Sequence, residues 1–114
     1  MEIFRSLKQS SIVNQFEVFD YKRWQNGRYI SLKIMLKDKT LLFAREYLDE
    51  NDRYYSFHWQ DTEDRLIVRW DNAQHHKHIR TYPHHKHIGE TVTESFEISL
   101  HEVLAYIEEY GKEK

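Results

Sequence analysis

Hydrophobic and polar positions follow two different periods along the chain, and the change of period marks its elements. Ile3, Phe4 and Leu7 fall at helical spacing and predict a short amphipathic helix near 2–10. From about residue 15 the chain alternates apolar and polar positions, with aromatic and β-branched enrichment and frequent turn residues. The implied strands are roughly 15–24, 28–37, 40–48, 53–61 and 64–71, with a short one near 91–97. Asn26-Gly27 predicts a type I′ hairpin, in which both central residues need φ > 0. Further turns fit Asp38-Lys39, Asp49–Asp52 and Thr62-Glu63. At the C-terminus Ser99-x-x-Glu102 reads as a capping box, with Ile98 and Val103 as its hydrophobic staple. Leu100, Val103, Leu104 and Ile107 continue at helical spacing and Gly111 suits a terminator, giving a helix over about 99–110.

These elements describe an α+β fold: an antiparallel β-meander of five to six strands flanked by a short N-terminal helix and a capped C-terminal helix. A chain of 114 residues has one core, so 1–114 is expected to be a single domain. If Asp61 pairs with Asp64 and Leu48 with Arg53, then Leu42, Ala44, Tyr55, Phe57, Trp59, Leu66, Val68 and Trp70 share an apolar face. In that register Ser56 pairs with Arg69, and Asp71 opposes Tyr54. The opposite face collects Arg45, Ser56, His58 and Arg69, with Asp71 leading into a histidine-rich segment; Ile34, Phe43 and Ile67 make its far end apolar. Trp24, Trp59 and Trp70 are expected in the core. Pro83 lacks an amide hydrogen, which argues that 72–88 is a loop.

Composition narrows the classes of function. Charged residues make up 32% of the chain, and no apolar run approaches the roughly 20 residues that span a bilayer. Cysteine is absent, which excludes disulfides and thiolate metal sites. Met1-Glu2-Ile3-Phe4-Arg5 lacks the features of a secretory signal, so a cytoplasmic location is expected. Net charge is only −2 but unevenly spread. Residues 65–88 hold Arg65, Arg69, Lys77, Arg80 and Lys86 against Asp71 alone, whereas 90–114 is rich in glutamate. The middle of the chain suits a local anion rather than a long nucleic acid held along a broad basic face.

Six of eight histidines lie within 75–87, as a near-repeat of His75-His76-Lys77-His78-Ile79 and His84-His85-Lys86-His87-Ile88. Imidazole exchanges protons near neutrality, ligates metals and, when charged, binds phosphate. His76, His78, His85 and His87 are spaced so that two extended arms would offer four nitrogens to zinc or nickel. The plain alternative is a solvated connection, with Arg45, Glu46, Arg69 and Asp71 in cross-strand ion pairs worth about 1 kcal/mol at most.

The stretch Tyr55-Ser56-Phe57-His58-Trp59-Gln60-Asp61, then Arg69-Trp70-Asp71-Asn72-Ala73 and Pro83-His84-His85-Lys86-His87, resembles the TumE family of toxin–antitoxin toxins. Arg45-Glu46-Tyr47 and the capped last helix are similar too. Family members place prolines around the first histidine pair, where this chain has Gln74 and Lys77, so 84–87 is the closer match. The resemblance implies a small cytoplasmic toxin with a cognate antitoxin, often of helix-turn-helix type; ribonuclease activity is expected by analogy with other toxin families, not from the resemblance itself. Metal-independent RNA cleavage then assigns proton transfer to His58 with His84 or His85, and phosphate binding to Arg45 and Arg69. Asp71, Tyr54, Tyr82, Lys86 and His87 would contact substrate, the tyrosines by stacking on bases. The second reading is a non-catalytic protein-binding module with a zinc- or nickel-binding histidine loop. Tyr29, Tyr47 and Tyr54 on exposed strands are compatible with a homodimer or an antitoxin groove.

Overall fold

The computed structural model describes residues 2–74 and 76–112; His75, the first histidine of the run, lies outside them. The chain forms α1 (Glu2–Gln9), β1 (Val13–Trp24), β2 (Gly27–Leu36), β3 (Leu41–Leu48) and β4 (Arg53–Gln60). It continues through β5 (Leu66–Asp71), β6 (His85–Ile88) and β7 (Thr91–Glu94) to α2 (Leu100–Lys112). The strands pair antiparallel in chain order, making one seven-stranded sheet. The expected meander is therefore present, with β6 added. Pro83 removes only its own amide, and it lies two residues before β6. Residues 85–88 keep theirs and pair with β5 on one side and β7 on the other.

Both helices pack on the same face. Ile3 and Leu7 of α1 and Val103, Leu104 and Ile107 of α2 are buried with Leu32, Leu42, Phe57, Trp59 and Trp70. Tyr106 and Tyr110 of α2 meet the edges of Trp70 and Trp59 at 5.1 and 5.0 Å between ring centres. The shortest molecular dimension, 21 Å, accommodates two layers about 10 Å apart with their side chains and no third. Among the described residues no helix lies on the other face of the sheet.

Local chemistry explains each departure in register. The first hairpin closes at Trp24 and Gly27, so its loop is Gln25-Asn26 and none of these residues has positive φ. Gly27 is required for space instead, since a Cβ there would lie 2.4 Å from the Leu48 carbonyl oxygen. Trp24 lies beside it and is 42% exposed rather than in the core. In the β4–β5 hairpin the Asp61 carboxylate accepts from the amides of Glu63 and Arg65, and Asp64 adopts φ of 64°. The loop lengthens and a further shift follows at Trp59 and Gln60, so Phe57 faces Trp70, Trp59 faces Val68, Ser56 faces Asp71 and His58 faces Arg69. The displacement is two residues, an even number, and every side chain stays on its expected face. Ile34 is the exception: it pairs with Leu42 and is wholly buried on the helix side. The capping box forms, with Ser99 Oγ accepting from the Glu102 amide and Glu102 accepting from the Ser99 amide. Gly111 lies inside α2 rather than ending it.

Candidate functional site

Alternation along β3 to β6 places two lateral rows of functional groups on the helix-free face. One row reads Arg45, Ser56, Asp71 and His85 across the strands; the next reads Phe43, His58, Arg69 and His87. Arg69-x-Asp71 and His85-x-His87 therefore face each other as two pairs on neighbouring strands. The buried carboxylate of Asp71 is the hub. It accepts from Arg69 Nε at 3.2 Å and from the Ala73 amide at 3.0 Å. Its oxygens lie 2.9 Å from His85 Nε2 and 3.5 Å from His87 Nε2. A carboxylate with little water access is tolerable only with such partners.

Arg69 reaches in two directions. Its Nε serves Asp71, while Nη1 lies 3.3 Å from His58 Nδ1. A guanidinium only donates, so His58 Nδ1 acts here as the acceptor and its ring is neutral in this arrangement. Burial holds the His58 pKa below the usual 6.5, the Arg69 charge lowers it further, and a hydrogen bond with Gln60 opposes them. The His87 pKa is also lowered, mainly by burial, against the attraction of Asp71. His76 arrives from the segment after β5 and sets its ring 5.1 Å from that of His85 and 5.7 Å from that of His87.

The other sequence candidates fall in different places. Arg45 shares the open face and donates to the Tyr29 hydroxyl at 3.3 Å, but it stands two strands from Asp71, about 10 Å between backbones. Tyr54 is exposed and packs on Tyr47, which packs on Trp24, at 5.8 and 5.7 Å between ring centres. His84 and Lys86 are of the opposite parity from His85 and point to the helix side. The His84 ring stacks on Tyr55, whose phenol is pushed up to about 12 by burial and keeps its proton, and the His84 Nδ1 hydrogen-bonds the Tyr55 hydroxyl at 2.8 Å. Lys86 Nζ sits 5.6 Å from the centre of the Tyr106 ring. Tyr82 is exposed in the turns between β5 and β6, and His78 is exposed beside His76. Of the two expected arms, His85-x-His87 forms on β6 and His76-x-His78 does not, because 76–83 folds as turns rather than as an extended strand.

Sequence reasoning did not assign Asp71 its central place. The signal was available: Arg69, Asp71, His85 and His87 form two i, i+2 pairs, as residues sharing a strand face do. Glu46, read as an exposed ion pair, is buried on the helix side between Arg28 and Arg53 at 2.6 and 2.9 Å. Arg53 also donates to the Ile98 carbonyl and so anchors the approach to α2.

The open sheet face thus carries imidazoles, guanidinium groups and a buried carboxylate, residue types that chemically suit anion binding and proton exchange. The family model described as Toxin TumE matches residues 3–111, and the chain belongs to this family. It is a toxin of a toxin–antitoxin system, with an antitoxin as its partner. No curated protein and no solved structure matches the chain. Among the described residues no helix is long and apolar enough to cross a membrane.

Proposed function

We propose that this toxin is a metal-independent ribonuclease of the cytoplasm, acting as a single unit and held inactive by a helix-turn-helix antitoxin. The observation that carries the reading is the row His58, Arg69, His87, in which one guanidinium stands between two imidazoles on an uncovered sheet face. A phosphodiester over Arg69 would have one ring on each side, with the two backbones about 10 Å apart.

In this mechanism the phosphate draws the Arg69 Nη1 end away from His58 while Nε stays on Asp71. The Nδ1 lone pair is then free to take the proton of the 2′-hydroxyl. O2′ attacks phosphorus, the P–O5′ bond breaks, and His87, protonated beside the Asp71 carboxylate and the bound phosphate, gives its second ring proton to the departing O5′. The products are a 2′,3′-cyclic phosphate and a 5′-hydroxyl. Arg69, with Arg45 from the neighbouring row, neutralises charge on the phosphorane. Asp71 is a positioning residue. His87 replaces the expected His84 and His85 as second imidazole, because His84 faces Tyr55 and His85 is 2% exposed. Tyr54, Tyr47 and Trp24 offer stacking surface for bases at one end of the same face.

Growth inhibition on expression tests the assignment. His58→Ala and Arg69→Ala should each abolish toxicity while the proteins still fold and bind antitoxin, whereas Lys86→Ala should remain toxic. Undiminished toxicity of both His58→Ala and Arg69→Ala would reject it.

A further inference from the structure

We infer that His76, His85 and His87, with Asp71, form a site for one divalent transition-metal ion of the zinc or nickel class, which clasps the turns that begin at His76 onto the sheet. The ligating nitrogens of the three histidines lie within 4.8 Å of one another. Two come from alternate residues of β6 and are fixed by strand pairing to β5 and β7. The third comes from the connecting segment, where His76 has φ of 56°.

Asp71 offers a fourth donor beside two of the three, with one carboxylate oxygen near each ring of β6. Metal bonds of about 2.0–2.1 Å in a tetrahedron place ligand atoms about 3.3 Å apart. The Asp71 oxygens lie 2.9 and 3.5 Å from the Nε2 atoms of His85 and His87, which brackets that edge. His76 lies on a segment outside the sheet and is the ligand that adjusts to the ion. An all-nitrogen and oxygen set without thiolate suits zinc and nickel.

His85 carries the second argument. Its ring is 2% exposed, and Nδ1 lies 2.9 Å from the Pro83 carbonyl oxygen while Nε2 faces Asp71. Both ring nitrogens face acceptors, and a neutral imidazole has one N–H to give. With Nδ1–H held by the carbonyl, a metal ion on Nε2 satisfies ring and carboxylate together. Such a backbone carbonyl behind a ligating histidine is the usual orienting contact of a built metal site. The inference does not rest on the ribonuclease reading. It also separates three of the clustered histidines from His78 and His84, which a merely histidine-rich tract would not do.

The test is calorimetric titration of zinc chloride into the full-length toxin without an affinity tag, with cobalt(II) absorption as a report of geometry. One ion per chain is expected, with the visible bands of four-coordinate cobalt. His76→Ala, on the connecting segment, should keep the circular dichroism of the parent and bind at least about tenfold more weakly. His78→Ala and His101→Ala should bind as the parent does. Failure of the parent to bind one ion would overturn the site. So would equal affinity of His76→Ala and the parent, or an equal loss in His78→Ala, either of which marks adventitious binding by the histidine tract.

Discussion

Asp71 is worth more to this protein as a buried acceptor than as a surface charge. Its replacement by Ala leaves the buried His85 Nε2 without its carboxylate, and an unsatisfied buried group costs about 1–3 kcal/mol. Asp71→Ala should therefore lower unfolding free energy by at least about that much in urea titration, against little change for Asp38→Ala on an exposed turn. His58 gives a second residue-level prediction. Its folded pKa lies below 6.5, so the unfolded chain binds the proton more readily. The stability it contributes is fully present above pH 6.5 and is lost as pH falls from 6.5 through the folded value. The groups facing it are Arg69 on β5, Phe43 on β3 and Gln60 on its own strand. His58→Gln should flatten the stability–pH curve in that acidic window and leave the slope above pH 7 unchanged.

The elements show what could and could not be read in advance. The last helix was legible because Ser99, Glu102, Val103 and Ile107 agree on start, cap and buried stripe. The β3–β4 register was legible because Leu48 and Arg53 bracket a turn with its own Asp49 side-chain contacts to the Asn51 and Asp52 amides. The β4–β5 register was not, since it depends on where the Asp61 carboxylate finds donors, a choice period two does not encode. β6 was missed because a nearby proline was allowed to speak for residues that keep their amides. Gly111 separates expectation from structure by experiment. Inside a helix, with open space where a Cβ would lie, Gly111→Ala should stabilise by a few tenths to about 1 kcal/mol. At a left-handed terminator the same change would destabilise. Thermal unfolding of the single variant distinguishes the two.

At the scale of the whole molecule, division of labour between the two faces follows from the helices choosing one. α1 and α2 bury the apolar side of every central strand, and the polar side stays available. Candidate chemistry was visible in the sequence as a set of residue types on one face, and Arg45, His58 and Arg69 do share it. Which histidines join them was not visible, because parity on β6 sends His85 and His87 to the open face and His84 to the other. The outer strand β1 is mixed: it has register shifts at Val13/Gln15 and Val18/Asp20 and displays Glu17, Lys22 and Arg23, which blunt an edge, but it also exposes Val18, Phe19, Tyr21 and Trp24. Zinc on His87 would occupy a ring that the proposed cleavage uses, so chelator-treated protein is the form expected to act on RNA.

The most direct measurement is therefore incubation of purified toxin with single-stranded RNA in excess EDTA, followed by analysis of the new ends. The expected products are 2′,3′-cyclic phosphate and 5′-hydroxyl termini, formed by the parent and lost in His58→Ala and Arg69→Ala. Intact RNA under these conditions, or cleavage that His58→Ala performs as well as the parent, would contradict the proposed mechanism.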